Sequence, residues 1–263
     1  LKAMSRDDDP FRHPAPHFIP LALHSSGSGG YIRRHPHACK RRCYSDFLKI
    51  RYVFPGCAGY FRVMTLLRIR DFAIHPGYFT QDAQSALVAD LRKILSHAPL
   101  FRPVTPRGTP MSVRMSAAGS YGWISDRKGY RYEPLHPSGV SWPPIPDSLL
   151  RMWRDLVPDA RLPECCLINW YDETAKMGMH QDRDEADLSQ PVVSVSLGDD
   201  ALFRMGHETR GGKTESVWLR SGDVVVLAGS ARRAYHGVDR IRPNSSTLLA
   251  NGGRINLTLR VVT

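Results

Sequence analysis

Residues 191–198, PVVSVSLG, and residues 221–229, SGDVVVLAG, are short β-branched runs bounded by turn-forming residues. Each is too brief for a helix, and Val packs well on a pleated, half-buried surface, so both read as strands. Runs of the same kind recur at CCLINWY (165–171), ALFRM (201–205), SVWL (216–219) and INLTLRVV (255–262). Residues such as Ser221, Gly222 and Asp223 supply the turns between them. From about residue 160 onward the hydrophobic period is therefore 2. Many short strands after two helices predict a mainly β fold: an antiparallel jelly roll or barrel with helices packed outside.

Upstream of that region, TLLRIRDFAI (65–74) reads as one strand. Thr80 is placed to cap a helix over QDAQSALVADLRKILSH, with Asp82 in the first turn and Leu87, Leu91, Ile94 and Leu95 along one face. PDSLLRMWRDLV (146–157) predicts a second helix, with Asp147 as its cap and Leu149, Leu150, Trp153 and Leu156 inward. Residues 99–146 are rich in Pro and Gly and carry Trp123, Tyr130, Tyr132 and Trp142, which suggests short strands joined by long loops. No internal repeat is present.

The chain has 263 residues and a formal charge of +11. That length suffices for a substantial core. Residues 1–63 hold eleven Lys/Arg against four Asp/Glu, a net of +7, so +11 less +7 leaves +4 for residues 64–263. The first stretch has Pro-rich and Gly/Ser-rich segments without a sustained period, and is expected to be a disordered extension or an upstream reading-frame artefact. Orderly patterning begins at Met64, giving an expected domain of 64–263. A basic surface makes a polyanionic partner worth considering. The five cysteines, Cys39, Cys43, Cys57, Cys165 and Cys166, match no paired zinc pattern, even with His35 and His37 near two of them. They fit a reducing, intracellular setting, which would be the cytoplasm of a bacterial source, and no apolar run approaches a membrane span.

The chemistry concentrates in MHQDRDE, where His180 and Asp182 stand two apart. On extended backbone, alternate side chains leave the same face, so an imidazole and a carboxylate could reach one ion. His236, in AYHGV, is the candidate third ligand. Two histidines and one carboxylate leave open positions on an octahedral ion, which suits non-haem Fe(II). Near the end, GGRINLTLR places Arg254 and Arg260 six apart with Asn256 between, all on one strand face. Guanidinium groups directed into a barrel call for an anion, and a dicarboxylate would use both. Asn169 and Tyr171 alternate onto one face of CLINWYDE and offer an amide and a phenol.

The ordered series CLINWY, MHQDRDE, PVVSVSLG, SGDVVVLAG, YHGV and GGRINLTLR resembles the AlkB family of Fe(II)/2-oxoglutarate-dependent nucleic-acid dealkylases, from about residue 66 to the C-terminus. The Arg-x₅-Arg ending and the HQDRDE wording carry most of its specificity. One departure is Ile255, where an aromatic is expected.

The resemblance implies a double-stranded β-helix, iron held by His180, Asp182 and His236, and 2-oxoglutarate held by Asn169, Tyr171, Arg254, Asn256 and Arg260. Within that set, Arg254 would take the distal carboxylate and Arg260 the iron-chelating end. It also implies a nucleotide-recognition lid at about 100–142. Met115, Trp123 and Tyr130 there match positions expected to contact the damaged nucleotide. Flat aromatic faces can stack on an extruded base. Asp184 could attract the positive charge of an N-alkylated base, and Arg183 and Arg210 could meet phosphates.

The implied activity is oxidative demethylation of 1-methyladenine and 3-methylcytosine, releasing succinate, CO₂ and formaldehyde. The implied partner is single- or double-stranded alkylated DNA, with RNA as a second candidate, and a monomer is expected. Two rivals stand beside it. A 2-oxoglutarate-dependent hydroxylase of a protein or small molecule would keep the iron and diacid residues but need neither Trp123 nor Asp184. A cupin-like fold that only binds nucleic acid would leave the conjunction of His180, Asp182, His236, Arg254 and Arg260 without a reason.

Overall fold

The computed structural model describes residues 50–55 and 61–263. The expected extension therefore lies outside the described residues, apart from strand β1 (Ile50–Pro55) and the start of β2 (Phe61–Ile69), which pair antiparallel with each other. Cys39, Cys43, Cys57, His35 and His37 also lie outside them.

The stretch expected as one strand is two, because β2 ends at Ile69 and β3 (Phe72–His75) returns antiparallel. The loop between them is Arg70-Asp71, at φ 48° and 62°. Positive φ at both central residues is the tight hairpin geometry that Gly and Asn normally signal, and neither is present. Tertiary bonds hold the turn instead. Ser230 Oγ donates to Asp71 at 2.6 Å, and Arg70 Nε lies 3.0 Å from Glu215.

Helix α1 (Gln81–His97) starts at Thr80, whose side chain accepts from the Ala83 amide, and buries Leu87, Val88, Leu91 and Ile94. Helix α2 (Asp147–Leu156) departs from expectation at its start. Pro146 occupies the cap position without a side-chain bond, and Asp147 sits inside the first turn. Its charge there still favours the helix dipole.

The remaining strands are β4 (Arg114–Gly119), β5 (Gly122–Asp126), β6 (Gly129–Glu133), β7 (Cys165–Tyr171), β8 (Met177–His180), β9 (Val192–Gly198), β10 (Asp200–Met205), β11 (Glu215–Leu219), β12 (Val224–Leu227), β13 (His236–Arg242) and β14 (Arg254–Arg260). The major sheet runs β1-β2-β3-β12-β9-β14-β7-β4, the minor sheet β11-β10-β13-β8, and β5–β6 is a separate hairpin in the expected lid.

Strand alternation divides the core in two. Cys166, Ile168, Val193, Val195, Leu257 and Leu259 leave one face of the major sheet and pack with the apolar stripes of α1 and α2. Cys165, Leu167, Tyr171 and Val192 leave the other face toward Phe203, Leu219 and Val238 of the minor sheet. Burial of this much apolar side chain is the main driving force for the sandwich. Ile255 belongs to the helix-side layer, so its departure from the expected aromatic lies on the face away from the inner side chains of β14.

The sequence pattern does not predict strand β13, because Asp239, Arg240 and Arg242 interrupt its apolar run. Its pairing passes from Leu202–Arg240 to Phe203–Val238, leaving Asp239 as an extra residue. This bulge lets Val238 and Ile241, three apart, both be buried.

Candidate metal and co-substrate site

Between the two sheets lies a cavity of about 810 Å³, and every candidate site residue named from the sequence lines it. Its depth follows from register. On β14, the side chains of Arg254, Asn256, Thr258 and Arg260 alternate inward, while on β7 Leu167, Asn169 and Tyr171 do the same. Asn256 stands directly opposite Asn169 in the ladder.

The two histidines come from facing strands of the minor sheet. His180 ends β8 and His236 begins β13, and they are direct cross-strand partners with ring centroids 4.6 Å apart. His236 thus opens a strand of its own, after a 3₁₀ turn (Gly229–Arg233). Gly237 permits the approach: a Cβ there would lie 2.6 Å from the Met177 carbonyl oxygen.

Asp182 reaches the histidines from beyond the strand, since β8 stops at His180. Its position is set by tertiary bonds rather than by strand alternation. His180 Nε2 lies 3.5 Å from Asp182 Oδ1, and His236 Nε2 lies 3.7 Å from Oδ2. Candidate ligand atoms of the three residues all fall within 4.8 Å of one another.

Hydrogen bonding orients the rings. His180 Nδ1 lies 2.9 Å from the Gly178 carbonyl, and His236 Nδ1 lies 3.0 Å from the Ala234 carbonyl. A carbonyl only accepts, so each Nδ1 carries the proton and each Nε2 turns its lone pair to the cluster. Burial holds the His236 pKa down to about 4, with His180 and Arg260 adding to that effect against the pull of Asp182. Burial also works against charge on Asp182, but Arg260 and then the two histidines outweigh it and keep its pKa well below the ordinary value. A neutral imidazole and an ionised carboxylate are the states metal binding needs. For His180, burial opposes protonation, while Asp182 and the Gly178 carbonyl raise the pKa overall.

Arg254 is fully enclosed, at 1% exposure. Its Nη2 donates to Ser196 Oγ at 2.7 Å, its Nη1 donates to the Asp199 carbonyl at 3.3 Å, and its Nε has no partner. Burial lowers its pKa to about 10, against the pull of Tyr171 and of Asp223, Asp200 and Asp199. A buried cation bonded only to neutral oxygens is costly, and an incoming carboxylate would relieve that cost. Asn169 Oδ1 and Arg260 Nε are likewise buried without partners. Tyr171 is buried, and that burial pushes its pKa up to about 12. Asn256 differs: its amide already donates to Ser194 Oγ and the Val195 carbonyl. This donor set and these unmet groups fit Fe(II) with a dicarboxylate.

The outer rim carries the other candidates. Trp123 and Tyr130 of the β5–β6 hairpin stack at 5.5 Å with a 14° interplanar angle, and Trp123 Nε1 donates to Asp184 Oδ2 at 2.8 Å. Arg210 is exposed, and its guanidinium lies over the Tyr235 ring at 5.6 Å. Met115 is buried in the cavity wall on β4, and Arg183 lies at the surface of the same cavity.

A polar network that the sequence does not announce supports the site. Arg232 donates through Nε to the Gln190 carbonyl at 2.8 Å, through Nη2 to Glu185 Oε2 at 2.9 Å, and through Nη1 to the Asp182 carbonyl in a short bond. Glu185 Oε1 accepts from the Tyr132 hydroxyl at 2.5 Å and lies 3.4 Å from Arg260 Nη1. Arg260 Nη2 in turn lies 2.9 Å from Asp182 Oδ1. Glu185 stands inside MHQDRDE, but nothing in the sequence distinguishes a buried Arg232 from exposed Arg233.

An antiparallel sandwich enclosing two histidines and one carboxylate suits non-haem Fe(II), and the chain belongs to the 2OG-Fe(II) oxygenase superfamily, whose family model matches residues 71–260, and within it to the AlkB family. It is 51% identical over 193 residues to the alpha-ketoglutarate-dependent dioxygenase AlkB homolog of Caulobacter vibrioides, covering 73% of this chain and 88% of that one. It is 38% identical over 188 residues to AlkB of Escherichia coli K12, covering 69% and 86%. A shorter stretch, 108 residues at 43% identity, matches the DNA N(6)-methyladenine demethylase ALKBH1D of Arabidopsis thaliana, covering 37% of this chain and 24% of that one. The solved structure of OsALKBH1 superposes with a TM-score of 0.64 at 28% identity, covering 74% of this chain and 99% of that one. The chain is an Fe(II)/2-oxoglutarate-dependent dioxygenase (alpha-ketoglutarate is the same diacid). Among the described residues no helix is long and apolar enough to cross a membrane.

Proposed function

We propose that this dioxygenase oxidatively demethylates N-alkylated bases, 1-methyladenine and 3-methylcytosine, in DNA, with RNA as a second candidate substrate. The products are the intact base, formaldehyde, succinate and CO₂. In this reading His180, Asp182 and His236 hold the iron. Arg254 takes the distal carboxylate of 2-oxoglutarate, Arg260 the chelating end, and Asn169, Tyr171 and Asn256 complete its pocket. Fe(II) with 2-oxoglutarate and O₂ supplies the oxidising power. The chain's own share is to bind, to orient the alkyl group and to exclude water.

The observation that carries the substrate reading is the Trp123–Tyr130 pair beside Asp184 at the rim of the cavity. An extruded base can stack on Trp123, and Asp184 favours a base made cationic by N-alkylation over its neutral parent. Met115 bounds the pocket in this reading, while Arg183 and Arg210 meet the phosphates. Residues 64–263 are taken as the catalytic domain, with the lid at about 100–142, acting as a monomer in the cytoplasm.

Formaldehyde release from oligonucleotides carrying 1-methyladenine or 3-methylcytosine tests the proposal. Release confined to alkylated strands, and dependent on Fe(II) and 2-oxoglutarate, is expected. Co-substrate consumption stimulated equally by unmodified strands, without formaldehyde, would favour a protein or small-molecule hydroxylase instead.

A further inference from the structure

Four buried or nearly buried charges alternate in sign behind the cavity: Asp182, Arg260, Glu185 and Arg232. Arg260 and Asp182 belong to the site already described. Glu185 and Arg232 do not touch the cavity, yet their side chains are 1% and 2% exposed. Burying an ion pair rarely stabilises a fold more than apolar side chains of similar volume would. Its geometry therefore invites another explanation.

Arg232 sits in the 3₁₀ turn four residues before His236. Its three donors all go to one distant segment: the Asp182 carbonyl, the Glu185 carboxylate and the Gln190 carbonyl. One planar fork thus ties the stretch that leads into one histidine to the loop that carries the carboxylate. That loop has no strand pairing of its own, because residues 181–184 lie outside β8. Glu185 extends the tie in a second direction. Its Oε1 and the Tyr132 hydroxyl both meet Arg260 Nη1, at 3.4 and 3.1 Å. With Nη1 engaged by these two groups and Nη2 by Asp182 at 2.9 Å, the buried Nε of Arg260 is the donor left without a partner for the diacid.

We propose that Arg232 and Glu185 are positioning residues for the oxygenase reaction: they fix the Asp182 loop against the His236 segment and aim Arg260 at the diacid. The proposal rests on the assignment of His180, Asp182 and His236 as the metal ligands. Groups that orient metal ligands commonly change metal affinity on the order of 10- to 100-fold when altered. A lysine cannot replace the fork, since it is a point charge on a flexible stem.

The test uses the full chain, with Mn(II) as the metal probe. Arg232→Lys and Glu185→Gln are compared with wild type in three respects: Mn(II) affinity, the Michaelis constant for the diacid co-substrate, and far-UV circular dichroism. Mn(II) affinity is expected to fall at least tenfold in both variants and the Michaelis constant to rise at least fivefold, with secondary structure retained. A role confined to stability would lower the Tm and leave both constants unchanged. Folded variants with both constants within twofold of wild type overturn the proposal. Should either variant fail to fold, Tyr132→Phe decides, because it removes a single hydroxyl from the lid hairpin. The Michaelis constant for the diacid should then rise several-fold with Mn(II) affinity retained, and an unchanged value overturns the tie to Arg260. His236→Ala is the control for the underlying assignment. Wild-type Mn(II) binding in that variant would remove the metal site itself, and the proposal with it.

Discussion

His180 and His236 stand directly opposite each other across the β8–β13 ladder, with ring centroids 4.6 Å apart. The spacing of the two imidazoles is therefore a property of strand pairing, and it can be perturbed without touching either ring. Gly237→Ala does so, because its methyl group would meet the Met177 carbonyl at 2.6 Å and the Gly178 carbonyl at 2.9 Å. Strand β8 must move away from β13. Mn(II) affinity is expected to drop at least tenfold in a protein that still folds. Unchanged affinity would mean that the ladder does not set the ligand spacing.

Arg254 is a buried cation whose hydrogen bonds go to a hydroxyl and a backbone carbonyl. Arg254→Met keeps much of the volume and removes the charge. Hydrogen bonds to charged groups contribute about 1.5–3 kcal/mol each, so the Michaelis constant for the diacid should rise roughly 10- to 100-fold. The kcat at saturating co-substrate should change much less. Steady-state kinetics with varied 2-oxoglutarate separates the two, and a loss confined to kcat would contradict the assignment.

Trp123 is expected to act on the nucleic acid and not on the diacid. Base–aromatic stacking is worth about 1–3 kcal/mol, so Trp123→Ala should weaken binding of an alkylated oligonucleotide roughly 5- to 100-fold. The Michaelis constant for the diacid should stay within twofold of wild type. Fluorescence anisotropy with a labelled strand measures the first quantity, and equal binding by both proteins would remove Trp123 from the substrate site.

A pH effect is expected from His75 on β3. Burial, with help from Arg68, lowers its pKa to about 4 from an ordinary 6.5. Between those values the unfolded chain binds the extra proton and the folded chain does not. Stability from this residue is therefore full above pH 6.5 and declines as pH falls toward 4, by on the order of 2 kcal/mol. His75→Gln should flatten that part of the profile in urea melts spanning mildly acidic to neutral pH. Parallel profiles for the two proteins would contradict it.

Much of this architecture is legible in the chain, for physical reasons that also explain the gaps. RINLTLR alternates polar and apolar residues strictly, so Arg254, Asn256 and Arg260 share one face of their strand, and in the short run CCLINWY Asn169 and Tyr171, two apart, share one face of theirs. The β2–β3 hairpin is hidden because Arg70 and Asp71 adopt positive φ without Gly or Asn to announce it. β13 is hidden because a bulge at Asp239 breaks the period of 2. Strand alternation predicts that Asp182 follows His180, whereas its loop is held by Arg232, Glu185 and Arg260. Such long-range polar ties leave no local pattern to read.

Two aspartates separated by one residue provide the sharpest discrimination of all. Asp182 is buried among the imidazoles, whereas Asp184 is exposed and bonded to Trp123. Mn(II) binding followed by electron paramagnetic resonance should show one site per wild-type chain. Asp182→Ala should weaken that site by roughly 100-fold or more while Asp184→Ala retains it, since it removes a ligand and not merely a group that orients one. Retention in Asp182→Ala, or loss in Asp184→Ala alone, would contradict a metal held by His180, Asp182 and His236.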